Sequence, residues 1–466
     1  MAQSLADAAG HELVAMYRKR EASPVEVTRA VLSRIDALNG RYNAFCLVDA
    51  ERALEAARQS ESRWMKGAPA SAIDGLPATI KDIILTKAWP TLRGSRTVER
   101  DQPWTEDAPV TARLREAGAV ILGKTTTPEF GWKGVCDSPL TGITRNPWNP
   151  ALTSGGSSGG AALAAAFRMG CLHVGTDGGG SIRIPAGFSG VFGIKPTFGQ
   201  VAAYPLSPFG TIAHIGPITA NVEDAARMLT VLSRPDTRDW YALPPSVRDF
   251  SKGLDAGVKD LRIALSMTLG YASVDSEVAA LVERAAKVLA EEGAIVERRD
   301  PGFPDPFETF RLHWFSGASL VRRAIPAERW PLLDPGFAAV AEAGERIPHM
   351  DYVTAVDRRG ALGFHMQQFH TEYDILLTPT LPRPAFEAGQ VSPNGVDQSN
   401  WMHWTPFSYP FNLTQQPAAS IPCGFTAAGL PVGLHIVAAK YRDDLVLRVA
   451  RAYERRHPIN LPPLPA

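Results

Sequence analysis

The sequence predicts an α/β fold, and three observations carry that expectation. Short apolar strand-like runs alternate with helix-length amphipathic segments, the pattern of a sheet flanked by helices. No shift in composition marks a hinge within the 466 residues, and there is neither an internal repeat nor a low-complexity tail. Glycine-rich turns containing Ser157 and Ser181, 24 residues apart, enclose a helix-length apolar segment and a strand-like run.

The elements follow in order. Leu5, Leu13 and Met16 outline an amphipathic helix, and Ser23, Pro24 and Glu26 supply the N-cap, first-turn proline and capping-box glutamate of a second. A helix near 50–66 and the turn Asp74-Gly75-Leu76-Pro77 precede a buried strand over 78–84 that contains Lys81 and Asp82. A helix over 109–117 and a strand over 119–122 lead through a Gly-, Pro- and Asn-rich loop, 127–152, to the first serine turn. Residues 161–167 read as a helix, 171–175 as a strand, and 190–197 as a further turn and strand. Asn221 caps a helix through Leu232, 235–252 reads as a surface loop, and a strand over 261–265, a helix over 275–292 and a strand over 295–296 follow. The stretch 303–371 is largely helical, strands near 373–382, 410–425 and 429–438 return to the same sheet, and 443–455 is the final helix.

Composition bounds the function. Hydrophobic residues at 45% and charged residues at 21% match an ordinary globular protein. Lys plus Arg and Asp plus Glu balance at 48 each, so neither nucleic acid nor an anionic membrane is an expected partner. No run approaches the roughly 18 apolar residues of a membrane span, and the N-terminus lacks a signal-peptide layout, so a cytoplasmic location is expected. Cys46, Cys136, Cys171 and Cys423 lie far apart among apolar or small neighbours and are expected to be free thiols. His365 and His370 miss the i, i+4 spacing of a helical metal pair, and no metal is predicted.

Three polar residues stand in unusual places: Lys81 inside an apolar strand, and Ser157 and Ser181 in the glycine turns. Glycine permits close backbone approach and φ > 0. A serine in such a turn, with backbone N–H groups converging on one point, suits an acyl-transfer nucleophile with its oxyanion hole. A serine needs a base. His173, inside the strand before Gly175, reads as a core residue, which leaves a Ser–Lys arrangement in which burial lowers the lysine pKa. Asp82 opposes that shift only if it turns inward, and strand neighbours point to opposite faces. Other readings stay open: SGGSSGG as a flexible linker, Lys81 on an edge strand with its ammonium in water, or Gly155-Gly156-Ser157-Ser158-Gly159 as a nucleophile elbow served by His403 or His435.

With Lys81, SGGSSGG and GTDGGGSIRIPA, the sequence resembles the amidase signature family of serine hydrolases, and DGLPATIKDI, ILGKTTTPEFG, HIGPIT, YDILLTPTLP, FNLTQQPAASIPCGF and GLPVGLHIV follow in the family's order. The resemblance implies one large domain over 1–466, a mixed β-sheet covered by helices on both faces, a signature region at about 74–220 and variable pocket helices at about 300–371. It implies a triad of Ser181 as nucleophile, Ser157 in a cis peptide bond as proton relay, and Lys81 as base. The N–H groups of Gly178, Gly179, Gly180 and Ser181 form the implied oxyanion hole, with Asp177, Arg183 and Ser158 supporting it and no cofactor needed. Ser154 stands where proline is frequent, and Gly178 where a β-branched residue is frequent. The family includes amidases of aliphatic and aryl amides, and one branch is the glutaminase component of a tRNA-dependent amidotransferase. The expected partner is a small amide, and a homodimer is allowed for. The pocket is expected from about 125–140, 200–215, 310–370 and 385–410, with Trp132, Trp314, Phe315, Trp401 and Trp404 favouring an apolar or aryl group.

Overall fold

Eleven strands form one mixed sheet through the chain, in a computed structural model that describes residues 4–244 and 248–465. The strands are β1 (Phe45–Val48), β2 (Pro77–Lys81), β3 (Val120–Thr125), a separate short hairpin of β4 (Asp137–Ser138) and β5 (Gly142–Ile143), then β6 (Leu172–Asp177), β7 (Phe192–Lys195), β8 (His214–Thr219), β9 (Arg262–Leu265), β10 (Ile295–Arg298), β11 (Ile375–Pro379), β12 (Ala418–Phe425) and β13 (Pro431–Ala438). Their order in the sheet is β1-β3-β2-β6-β8-β7-β12-β13-β11-β9-β10. The pairs β2–β3, β2–β6, β9–β11 and β9–β10 are parallel and the rest antiparallel.

The sheet is buried on both sides, and strand alternation assigns its side chains to two cores. Ile375, Leu377, Ala419, Ile421, Leu434 and Ile436 enter a core shared with the helices Ser276–Glu291 and Asp443–Arg456. Leu376, Ala418 and Val437, each adjacent to one of these, enter an aromatic core with the helices Phe307–Arg323 and Pro335–Glu345. Among the described residues no helix is long and apolar enough to cross a membrane.

Most expected elements are present with shifted ends. The strand expected over 78–84 stops at Lys81, because the N–H groups of Ile83 and Ile84 turn back onto the Lys81 carbonyl at 2.8 and 3.0 Å. The 235–252 loop is irregular where described, and its residues 245–247 lie outside the described residues. Strand β8 had no expectation: Gly216 and Pro217 weaken its strand signal, yet it runs between β6 and β7, with Pro217 opposite Val174.

The SGGSSGG segment is no flexible linker. It runs into the helix Gly159–Ala166, in which every residue is buried. A Cβ on Gly159 would lie 2.4 Å from Cys136 Cβ, and one on Gly160 would lie 2.4 Å from both the Ala44 carbonyl oxygen and Thr126 Oγ1. Glycine is therefore required at 159 and 160 for close approach, against its helix propensity. Gly160→Ala should separate the two effects. Propensity alone would stabilise by about 1 kcal/mol, whereas overpacking costs about 1–3 kcal/mol; a lowered melting temperature is expected.

Candidate active site

Neighbouring parallel strands bring their C-terminal ends to the same edge of a sheet, and β2 and β6 are such neighbours. Lys81 ends β2, and Thr176 and Asp177 end β6. Ser157 and Ser158 lie just ahead of the helix Gly159–Ala166, and the Gly156–Ser157 peptide bond is cis. These segments meet at Lys81 Nζ, which lies 2.6 Å from Ser157 Oγ, 2.9 Å from Ser158 Oγ and 2.8 Å from Thr176 Oγ1. Ser158 donates its own hydrogen to the Thr176 carbonyl at 3.1 Å, so towards Lys81 it is an acceptor.

Lys81 is fully buried in an interior strand, which excludes the edge-strand reading. Burial pulls its pKa down to about 7, opposed by the more distant Cys136 and Asp177. Asp82 faces away from it and pairs with Lys124 Nζ at 3.1 Å. His173 is a core residue bonded to Thr79 Oγ1 at 2.9 Å, and burial pushes its pKa down to about 4. The elbow reading loses its base. Ser157 meets Lys81, whereas His435 Nε2 accepts from Arg183 at 3.1 Å and His403 lies beside Asp397 at 3.9 Å.

The Gly178-Gly179-Gly180-Ser181 turn is held from behind. Asp177 and Arg183 are both fully buried and form a bidentate pair, with Nε to Oδ2 and Nη2 to Oδ1 each 2.9 Å. Asp177 Oδ1 also accepts the Gly180 N–H at 2.7 Å, and Oδ2 accepts the Ile182 N–H at 3.2 Å. Burial alone would raise the Asp177 carboxyl, but Arg183 overrides it and holds the group well below the usual carboxylate range. The Gly180 N–H is therefore spent on Asp177 and is not free for an oxyanion, which corrects the expectation for that glycine. The N–H groups of Gly178, Gly179 and Ser181 have no partner among the described residues. Ser181 and Ser157 face one cavity, and the Ser181 carbonyl accepts the Ser158 N–H at 3.1 Å.

Two residues without a distinct sequence signal complete this support. Asn412 accepts from Arg183 Nη2 at 2.6 Å and donates to Asp177 Oδ1 at 2.9 Å, and the Ser408 hydroxyl donates to the Gly179 carbonyl at 2.6 Å. Asn412 lies within the FNLTQQP segment, but nothing in that segment marks it as a partner of a turn more than two hundred residues away.

The cavity in front of both serines has a volume of about 810 Å³. Phe130 and Gly131, residues from Ala203 to Ile215, and residues from Trp314 to Arg329 line it, as the expected 125–140, 200–215 and 310–370 regions anticipated. Residues 83–108 also contribute, and none from 385–410 does. Of the five expected aromatics only Trp314 lines it; Trp132, Phe315, Trp401 and Trp404 fill the aromatic core. For Trp401 the reason lies in the turn. A Cβ on Gly178 would sit 2.9 Å from Trp314 Cζ3, and one on Gly179 would sit 2.6 Å from Phe310 and 2.8 Å from Trp401. Trp314 itself is fixed by its Nε1 bond to the Trp132 carbonyl at 3.1 Å and by Phe209, stacked at 4.2 Å.

A family profile described as Amidase matches residues 26–447. The chain belongs to the amidase signature family. It is 35% identical to an acylamidase of Rhodococcus erythropolis over 96% of this chain and 95% of that protein. It is 36% identical to a component of the glutamyl-tRNA(Gln) amidotransferase of Myxococcus xanthus, covering 96% of both. The solved structure of a bacterial aryl acylamidase of the family superposes with a TM-score of 0.89 at 29% identity, over 97% of this chain and 96% of that one. Amidase signature enzymes thus share this mixed sheet, and the chain is an amidase in that broad sense.

Two outcomes test this geometry. Asp177→Asn leaves the Arg183 guanidinium without its counter-charge, and loss of one partner of a buried pair costs about 3–5 kcal/mol; a large fall in melting temperature is expected. Gly178→Val should reduce kcat roughly 10²-fold, the scale of a lost oxyanion donor. Adding Trp314→Leu should recover part of that loss if the collision with Trp314 is its cause.

Proposed function

We propose that the protein hydrolyses small amides through an acyl-enzyme on Ser181, with Ser157 relaying protons between Ser181 and Lys81. The observation that carries this reading is the 2.6 Å approach of Lys81 Nζ to Ser157 Oγ in a buried setting where hydroxyls, and no carboxylate, touch the amine. A neutral amine there donates to Ser158 Oγ and Thr176 Oγ1 and keeps its lone pair for the Ser157 hydroxyl. With its pKa near 7, that form is populated at neutral pH.

In the proposed cycle Ser181 Oγ attacks the amide carbon while its proton passes to Ser157, whose own proton passes to Lys81. The N–H groups of Gly178, Gly179 and Ser181 receive the oxyanion. Lys81 returns the proton through Ser157 to the departing nitrogen, the C–N bond breaks, and the acyl group remains on Ser181. Water then attacks the ester by the same relay, releasing the acid and restoring Ser181.

Ile83, Phe130, Phe209 and Trp314 give the cavity apolar walls, which support a substrate with an apolar or aryl portion. The names of the acylamidase and aryl acylamidase relatives agree with that choice. A second reading, a glutaminase-type component that works only in an assembly, is favoured by the comparable identity to the Myxococcus amidotransferase component. Release of amine from anilides and short amides by the purified chain separates the two: turnover without a partner is expected, and turnover of glutamine only in an assembly would favour the second.

Ser181→Ala should lower kcat by at least about 10³-fold and Lys81→Ala by about 10²–10⁴-fold. Because Lys81 must be uncharged to accept the proton, kcat/KM should rise tenfold per pH unit below about 7 and level off above it. A profile flat through that range would remove Lys81 as the base.

A further inference from the structure

One charged group in the cavity has no role in the chemistry above. Arg93 lines the same cavity as Ser157 and Ser181, and its guanidinium has neither an ion pair nor a hydrogen bond among the described residues. The other cavity arginine, Arg329, pairs with Glu99 and donates to the Thr97 carbonyl at 2.6 Å. The buried carboxylate nearest in sequence, Asp82, whose charge also acts on Arg93 from a distance, is engaged by Lys124 at 3.1 Å. Arg93 therefore brings a surplus positive charge to a cavity with largely apolar walls.

Its position is fixed. Arg93 adopts a left-handed φ of 58°, uncommon for a residue with a side chain, and its carbonyl accepts the Phe130 N–H at 2.8 Å. Gly131, the next residue, approaches Ser157 so closely that a Cβ on it would lie 3.2 Å from Ser157 Oγ. The loop that carries Arg93 is thus tied to the segment against which the relay serine packs. A half-buried guanidinium that lines a cavity without a counter-charge of its own can take an anionic group there, and its planar fork matches a carboxylate in two hydrogen bonds.

We propose that Arg93 is a carboxylate-binding subsite, and that the preferred substrate is an amide bearing a carboxylate separated from the scissile bond by a flat apolar spacer. The spacer lies against Ile83, Phe130 and Trp314 while the two ends of the molecule reach Arg93 and Ser181. This rests on the amide-hydrolysis reading and narrows it. Burial lowers the Arg93 pKa, yet a guanidinium stays charged at neutral pH, so the subsite persists across the working range.

The test compares matched pairs that place the acid on either half of the amide. 4-Acetamidobenzoate is set against its methyl ketone 4-acetamidoacetophenone, and 4-carbamoylbenzoate against 4-acetylbenzamide. For at least one pair, kcat/KM should favour the carboxylate by about ten- to a hundredfold, the range of a charge-assisted contact. That ratio should fall to about one or below in Arg93→Met and be partly retained in Arg93→Lys. Ketones favoured in both pairs by the unsubstituted enzyme, or an unchanged ratio in Arg93→Met, would overturn the subsite. Calorimetric binding of the same compounds to Ser181→Ala, with and without Arg93→Met, reads the subsite without turnover. Neutral anilides hydrolysed with no carboxylate preference would sink the subsite and leave the amidase reading standing. Arg93-dependent carboxylate binding with no amide hydrolysed would do the reverse.

Discussion

The buried ion pair between Asp177 and Arg183 is the constraint on which the site depends. Three consecutive glycines have no side chains to hold them, so the conformation of the nucleophile turn must be imposed from outside. Asp177 does this by taking the N–H groups of Gly180 and Ile182, one on each side of Ser181. Arg183 fixes Asp177 in turn, and Asn412 and Ser408 tie both to a segment more than two hundred residues further along the chain. Two buried charges cost several kcal/mol each unless their bonding capacity is filled. Here the carboxylate receives donors from the guanidinium, two backbone amides and the Asn412 amide, and the desolvation cost is offset by a network that also sets the turn.

Lys81 and Lys124 meet different partners at similar depth, and burial lowers the pKa of both. Both are fully buried, on the adjacent strands β2 and β3. Lys124 meets the carboxylate of Asp82, whereas Lys81 meets hydroxyls alone. The difference follows from strand geometry: Asp82 succeeds Lys81, its side chain leaves on the other side, and it lands on Lys124. An amine that loses hydration and gains no counter-charge loses affinity for its proton. In the proposed cycle the same step that buries Lys81 makes it a base, with no further residue to activate it.

The sequence made the fold class and the meeting of Lys81 with the first serine turn legible for physical reasons, and the misreadings have equally specific causes. Alternating apolar runs mark most strands and helices because the sheet is covered on both faces. A lysine in an apolar strand and serines in glycine turns stand out because each is costly without a function. Strand β8 escapes because Gly216 and Pro217 break the β pattern, although a Cβ on Gly216 would collide with the Ile194 carbonyl oxygen at 2.2 Å and so explains the glycine. Gly180 passes for an oxyanion donor because sequence does not show that its amide is already committed to Asp177. Asn412 and Ser408 are silent because their bonds to the turn are long-range and leave no local pattern.

Tryptophans in the variable regions read as pocket walls, and most are packing. Turns built of glycine leave empty volume, and Phe310 and Trp401 fill the space against Gly179 as Trp314 does against Gly178. The wall formed by Ile83, Arg93, Phe130, Tyr204 and Ile325 takes no part in the bonds that fasten Asp177, Arg183 and Asn412, whereas His214, which also lines the cavity, has its Nδ1 3.3 Å from the Asp177 carbonyl. Most of the wall and the fastening of the turn are therefore built from different side chains. Substitutions in that wall change shape and charge before Ser181 without disturbing the turn behind it. Trp314 is the exception, because its ring both faces the cavity and occupies the place a Gly178 side chain would take. It is the point at which the shape of the cavity and the position of the Gly178 backbone are mechanically coupled.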